Sequence, residues 1–489
     1  LLGLSILPLD LAATSAWCLM QAVEADRDAA SLSAGLVGAG LDILSEPAAA
    51  AQDEQAPSVE TAAGTTPLLS ARRIPDLLVR PVARRNLETR LDTFLEGNPA
   101  GTCIAVTDSG ADLYGSRAHE PMTPASTEKI LTAHAALTAL GPESTLETAL
   151  VSRSAPADGT VTGDVWLVGG GDPLLNTERY RARGRGADQV HTDLNALADQ
   201  VAAAGVRLIN GNIYGDETRY DDQRVVPSWP SRFIGQNQAG PLTALSVNDG
   251  SYNDDGILRR SPEPAVSATE SLVDLLNERG VTVIGAARAG ATPEDAEVVL
   301  ASADSRPVTE IVGQMLTYSD NTTAELLAKE VGFHATGLGT TGAGSEAIGA
   351  TLVEAGLDRP GRVTVDGSGL DAGNKVTCDL LVDVLDTHGP SGPMADGLAV
   401  AAQSGTLSER FLGSPAAGLV RAKTGTLRDV TALAGFVEIP DSDILTFAVV
   451  VNTTDGQLVD DVVKRRQEQV AEILLTWPEG PELAQLAPR

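Results

Sequence analysis

The sequence predicts an α+β chain in which an antiparallel sheet flanked by helices is interrupted by an inserted α/β segment. Two observations carry this. Near the C-terminus three short apolar runs, 418–424, 431–438 and 445–452, are separated by turn residues and followed by an amphipathic stretch over 458–475. In that stretch Val459, Val462, Val463, Val470, Ile473 and Leu474 recur at near-helical spacing, and a meander plus a terminal helix is what covers an antiparallel sheet. Between residues 144 and 303 the pattern changes: strands over 145–151 and 160–168, a helix over 193–204, a strand over 207–214, a helix over 268–279 and a strand over 281–284 alternate as in an α/β unit.

Taken in order, 489 residues suggest two or three domains. Residues 1–44 contain two apolar stretches, 1–20 and 29–44, read as the remnant of a signal sequence or membrane anchor although Asp10 interrupts the first. Residues 45–73, rich in Pro, Ala, Gln, Glu and Thr, read as a disordered linker. A folded segment over 74–143 then opens with a helix at 84–95. It continues with a strand at 103–107, the turn Asp108-Ser109-Gly110 and a return strand. Behind Pro124 a helix over 126–140 is stopped by Gly141-Pro142. After the 144–303 insert the fold resumes over 304–478, with helices at 321–332 and 346–355 ahead of the meander, and 479–489 is a tail.

Composition excludes some functions. A net charge of −31 argues against nucleic acid as a partner, since binding phosphates needs a basic footprint. Cys18, Cys103 and Cys378 have no metal spacing, so neither a zinc site nor a disulfide framework is expected; one disulfide stays open, and Cys103 and Cys378 read as small buried hydrophobes. Aromatics supply only 3%, leaving the core to Ala, Val, Leu and Ile.

Chemistry concentrates in three strings: Ser126-Thr127-Glu128-Lys129, Ser319-Asp320-Asn321 and Lys423-Thr424-Gly425. Lysine is scarce, with only Lys129, Lys329, Lys375, Lys423 and Lys464, and two of the five lie in these strings. No other Ser-x-x-Lys occurs, whereas Ser-x-Asn recurs at Ser246-Val247-Asn248. On a helix, Ser126 and Lys129 share a face. A neutral Lys129 could take the serine proton, which requires burial and a nearby positive charge, for which Lys423 is the candidate. Ser319 would relay a proton to the leaving group and Asn321 would orient Lys129 and a substrate amide. Lys423 and Thr424 on a strand edge would face a carboxylate, with Gly425 admitting substrate backbone. No histidine falls in a catalytic or metal motif; His134 reads as a packed helix residue. No metal and no cofactor is called for.

The ordered triplet is the set shared by penicillin-binding proteins and class A β-lactamases. With 193 positions between Ser126 and Ser319, the chain resembles the penicillin-interactive D-alanyl-D-alanine carboxypeptidases and endopeptidases with a large insert between the first two motifs, the penicillin-binding protein 4-like group. Pro124-Ala125-Ser126-Thr127, Gly170-Gly171-Asp172-Pro173, 215–220, 242–248 and Asp366-Gly367-Ser368-Gly369-Leu370 carry the resemblance. The 242–248 match assigns the second Ser-x-Asn to the insert.

The resemblance implies a β-lactamase/transpeptidase-like catalytic domain, peptidoglycan stem peptides as substrates, an acyl-enzyme on Ser126 and acylation by β-lactam antibiotics. It implies an oxyanion hole from the N–H groups of Ser126 and Thr426, with Lys423, Thr424 and Thr426 on the substrate carboxylate. It also implies an extracytoplasmic location, secreted or N-terminally membrane-anchored. No position matches the glutamate that primes the deacylating water in class A β-lactamases, so a persistent penicillin adduct is expected. Asp371-Ala372-Gly373-Asn374 departs from the small polar and basic residues expected after Gly-Leu. For Asp172 and Arg219, lining the cleft and stabilising the insert stay open. The alternatives are a β-lactamase of the same fold and a catalytically weak cell-wall binding protein.

Overall fold

A computed structural model describes residues 76–97, 101–182, 189–254, 257–440, 442–453 and 458–479. The expected anchor (1–44), the linker (45–73) and the tail beyond residue 479 lie outside the described residues. Among the described residues no helix is long and apolar enough to cross a membrane.

The C-terminal meander and the N-terminal hairpin form one six-stranded antiparallel sheet. Its strand order is Ala399–Val400, Val420–Thr426, Val430–Glu438, Ile444–Asn452, Thr102–Asp108 and Ala111–Ser116. The runs are apolar throughout because both faces are covered, which removes the usual in–out alternation. Cys103, Ala105, Ala434, Phe436 and Val450 face a helical layer, whereas Ile104, Val106, Leu433, Val437 and Phe447 belong to a second core. That second core is closed by helix Asp76–Glu96 through Ala83, Leu87 and Leu91 and by helix Asp461–Leu474 through Val470, Ala471 and Leu474. The terminal helix starts later than its apolar spacing suggested: Asp460 caps it by accepting from the N–H groups of Val462 and Val463, and Val462 is 51% exposed.

The helical layer contains Lys129–Ala135, Val308–Tyr318, Asn321–Thr336, Thr341–Glu354 and Cys378–His388. Cys103 and Cys378, expected as separate small hydrophobes, are joined in a disulfide that ties the central strand to the last of these helices. Both are fully buried, as expected, and the single disulfide that the sequence left open joins them.

The middle of the chain builds its own sheets. A five-stranded one runs Ala287–Ala289, Ile213–Asp216, Val165–Val168, Glu147–Ser152 and Val298–Asp304. A parallel three-stranded one joins Thr282–Val283, Leu208–Asn210 and Thr160–Thr162. Helices Leu194–Ala203 and Pro264–Glu278 share their core. The expected strands 160–168 and 207–214 each break in two where the backbones cross: a Cβ on Gly211 would lie 2.1 Å from Gly163 O, and Gly163 holds φ +96°. The first and last strands of this segment are antiparallel neighbours, Glu147 opposite Asp304, so the chain leaves close to where it came in.

Candidate active site

Ser126 lies in a single 3-10 turn, Ala125–Glu128, followed by helix Lys129–Ala135 and a π turn, Ala136–Leu140, instead of one continuous helix. Ala125 adopts φ +48°, a left-handed conformation costly for a residue with a side chain. The turn is wedged from two sides. A Cβ on Gly425 would fall 2.7 Å from Pro124 O and 3.1 Å from Ser126 N, and one on Gly369 would fall 1.9 Å from Ala125 O. Gly425 therefore admits the Ser126 turn. Its neighbours leave Ser126 half-buried and bury Thr127, Glu128 and Lys129.

Lys129 Nζ stands 3.1 Å from Ser126 Oγ, 2.7 Å from Asn321 Oδ1 and 2.6 Å from the carbonyl of Ser368. The latter two can only accept, so they take two of its N–H bonds. What remains toward Ser126 is a third N–H when Lys129 is charged and a lone pair when it is neutral. Burial draws Lys129 down to about 8, opposed by the carboxyls of Asp366, Glu325, Asp320 and Glu128. Burial and then the Lys129 charge hold Lys423 well below its ordinary value, and repulsion between the two amines acts on both.

The second motif joins two helices. Ser319 ends helix Val308–Tyr318 in the left-handed region at φ +58°, and Asp320 caps helix Asn321–Thr336 by accepting from Thr323 N at 3.1 Å. Cap and motif thus coincide, since the cap turns Ser319 and Asn321 to opposite neighbours. Ser319 Oγ accepts from Lys423 Nζ at 2.8 Å, while the Asn321 amide spans Lys129 and the Gln238 carbonyl, the latter at 2.7 Å. The Ser-x-Asn at 246–248 is elsewhere: Asn248 Oδ1 accepts from Thr177 N at 2.9 Å inside the 144–303 segment.

On strand Val420–Thr426, Lys423 is buried and also donates to the Thr424 carbonyl at 2.8 Å, Thr424 Oγ1 donates to Thr406 Oγ1 at 2.8 Å, and Thr426 is exposed. Ser126, Lys129 and Asn321 are thus linked side chain to side chain, as are Ser319 and Lys423; the 319–321 backbone and Gly425, packed against the serine turn, bring the two sets together.

Ser368, Glu325, Thr406 and Gln238 enter the site without having been singled out. Ser368 was inside the resembling string 366–370, and Glu325 lies one turn beyond Asn321 on the same helix face, which was the available signal. Asn374 explains the unusual 371–374 segment: its Oδ1 accepts from Val365 N at 2.6 Å and its Nδ2 donates to Asp366 Oδ1 at 2.7 Å, so it shapes the loop that carries Ser368. Trp229 Nε1 donates to Asp366 Oδ2 at 2.7 Å. Arg219 makes a bidentate pair with Glu330 and stacks on Phe333, which ties the 144–303 segment to helix Asn321–Thr336; Asp172 is buried with Oδ1 accepting from Leu174 N. His134 is packed as expected, its Nδ1 3.0 Å from His388 Nε2.

The model of the D-Ala-D-Ala carboxypeptidase 3 (S13) family matches residues 83–255 and 250–476. A D-alanyl-D-alanine carboxypeptidase of an Actinomadura species is 32% identical over 445 residues, covering 75% of this chain and 80% of that one. Carboxypeptidase DacB of Mycolicibacterium smegmatis is 33% identical, covering 77% and 82%. The solved penicillin binding protein 4 (dacB) of Haemophilus influenzae, also solved in complex with a β-lactam, superposes with a TM-score of 0.66 at 20% identity, over 78% of this chain and 98% of that one. It shows the same α+β fold. The triad of linked motifs, the family match over most of the chain and the identity to carboxypeptidases lead to one conclusion: the chain belongs to the D-Ala-D-Ala carboxypeptidase 3 (S13) family and is a serine-type enzyme of that kind.

Proposed function

We propose that the chain cleaves the terminal D-Ala-D-Ala bond of peptidoglycan stem peptides through an acyl-enzyme on Ser126. The observation that carries this is the Lys129 environment, in which two fixed acceptors leave only one direction open, toward Ser126 Oγ. Neutral Lys129 takes the Ser126 proton while Oγ attacks the penultimate D-Ala carbonyl carbon. The oxyanion forms against the N–H groups of Ser126 and Thr426. As the C–N bond breaks, the Ser319 hydroxyl passes a proton to the leaving D-alanine nitrogen and is resupplied by Lys423. Water then hydrolyses the ester.

The substrate carboxylate is held by Lys423, Thr424 and Thr426; because burial and the Lys129 charge depress Lys423, carboxylate binding would draw a proton onto it. A β-lactam presents a strained amide and a carboxylate in the same relation, and so acylates Ser126. Asn321 positions Lys129 and the substrate amide. The 144–303 segment is taken as an inserted α/β domain between the two parts, 74–143 and 304–478, of the catalytic domain. The buried disulfide supports an oxidising, extracytoplasmic location, secreted or N-terminally membrane-anchored, with residues 1–44 proposed as a signal or membrane-anchor remnant.

The test is covalent labelling by a fluorescent penicillin together with D-alanine release from a stem-peptide mimic. Both should be lost in Ser126→Ala. Labelling that survives this substitution refutes the proposal, and rapid penicillin turnover without an adduct favours the β-lactamase alternative.

A further inference from the structure

Glu325 is fully buried on helix Asn321–Thr336, one turn beyond Asn321. Its Oε1 accepts from Ser368 N at 2.8 Å, and the Ser368 carbonyl is the closest acceptor of Lys129 Nζ, at 2.6 Å. One helix therefore reaches Lys129 twice, directly through Asn321 Oδ1 and indirectly through Glu325 and the Ser368 peptide. The second oxygen, Oε2, is buried without a hydrogen-bond partner among the described residues. Burying a carboxyl with an orphaned oxygen costs stability, and a glutamine or an apolar side chain would avoid its ionisation.

We propose that Glu325 is a positioning residue for acylation: it fixes the Ser368 carbonyl that directs Lys129 toward Ser126, and its charge state is coupled to that of Lys129. The inference rests on the assignment of Lys129 as the base. Glu325 holds the Ser368 peptide in one orientation, and a peptide free to rotate would withdraw its carbonyl from Lys129, leaving the amine to turn off Ser126. Charge coupling follows from proximity. Lys129 is faced by Glu325 and Asp320–Asn321 from one helix edge, by Asp366 from the loop, by Glu128 from its own turn and by Lys423 from the strand. Burial lifts Glu325 to about 8, so it and Lys129 titrate over the same range. An ionised Glu325 retains the Lys129 proton and delays the appearance of the base.

The experiment is the second-order acylation rate with a fluorescent penicillin between pH 5 and 9 for the full chain, Glu325→Gln and Glu325→Leu, with KM and kcat on a stem-peptide mimic. Glu325→Leu loses the hydrogen bond to Ser368 N, so acylation should fall about tenfold or more at every pH with KM changed less than about twofold. Glu325→Gln keeps an acceptor at that position and should restore the rate at pH 8 to within about threefold. Because it cannot ionise, its rising limb should move to lower pH by about half a unit.

A purely structural glutamate would also be rescued by glutamine but would leave the limb in place, which overturns the coupling. Acylation by Glu325→Leu at the wild-type rate overturns the positioning. A wild-type rate that does not rise with pH removes the assignment of Lys129, and this inference with it. A limb present in wild type but unmoved in Glu325→Gln removes the coupling and leaves the assignment of Lys129 standing.

Discussion

Replacing Gly425 by alanine adds one methyl group at the narrowest contact in the site. The new Cβ would lie 2.7 Å from Pro124 O, 3.1 Å from Ser126 N and 3.2 Å from the Ala125 Cβ. Two of these are backbone atoms and the third is the first atom of its side chain, so no flexible end can swing aside. Ordinary contact begins at 3.4 Å, and the strand and the turn must separate by about 0.7 Å to reach it. Ala125 is already in a left-handed conformation and has little room to absorb the shift. A displacement of 1 Å at a reacting group costs on the order of a hundredfold in rate, so a 10- to 50-fold fall in acylation rate is expected, with about 1–3 kcal/mol lost in stability.

Stopped-flow acylation by a fluorescent penicillin and thermal unfolding measure the two separately. Gly435→Ala is the control, because its Cβ would strike Arg421 O at 2.1 Å in the same sheet without touching the serine turn. It should lose stability with much less loss of acylation. If Gly425→Ala acylates within twofold of wild type, the strand does not lock the turn and the steric argument is wrong.

Two further outcomes follow from buried groups. The Cys103–Cys378 disulfide closes a sequence separation of 275 residues, which on the chain-entropy estimate corresponds to about 5 kcal/mol; reduction, or the double alanine variant, should lower the Tm by about 6 °C, and a Tm indifferent to reductant would contradict it. Burial holds His388 down to about 4 and His134 below its ordinary value, whereas unfolded histidine titrates near 6.5. The unfolded chain therefore binds more protons between about pH 4 and 6.5, and stability should drop as pH falls through that window. Allowing for the partial exposure of His388, the loss is on the order of 1 kcal/mol. His388→Gln should flatten the Tm-against-pH slope there, and parallel slopes for the two proteins would refute the assignment.

The elements that could be read in advance were those whose letters report local physics. The central strands are continuous apolar runs bounded by turn residues, and the three motifs stand out because lysine is scarce. Helices Val308–Tyr318 and Cys378–His388 went unpredicted although Val308, Ile311, Val312, Met315 and Leu316 carry helical spacing. Glu128 and Glu325 look like ordinary surface helix residues, since nothing local to a glutamate announces that it will be fully buried beside a lysine. Cysteine pairing was out of reach for a similar reason: the partners are far apart in sequence and meet only once the sheet and helix Cys378–His388 have packed. The carboxyls of Asp366, Glu325 and Glu128 around Lys129 also needed the fold, because they come from three separate segments.

The pairing of Thr102 with Val451 in the central sheet has a consequence for biogenesis. The strand made early cannot find its neighbour until nearly the whole chain has been delivered. Pairings between such distant positions are slow to form. The middle segment, whose sheets and helices all lie between residues 147 and 304, has no such wait. During vectorial emergence it can organise first, while the early hairpin stays without its sheet neighbour. The reactive serine is therefore assembled last, when the C-terminal strands arrive to complete its turn, so a truncated nascent chain carries no acylating centre.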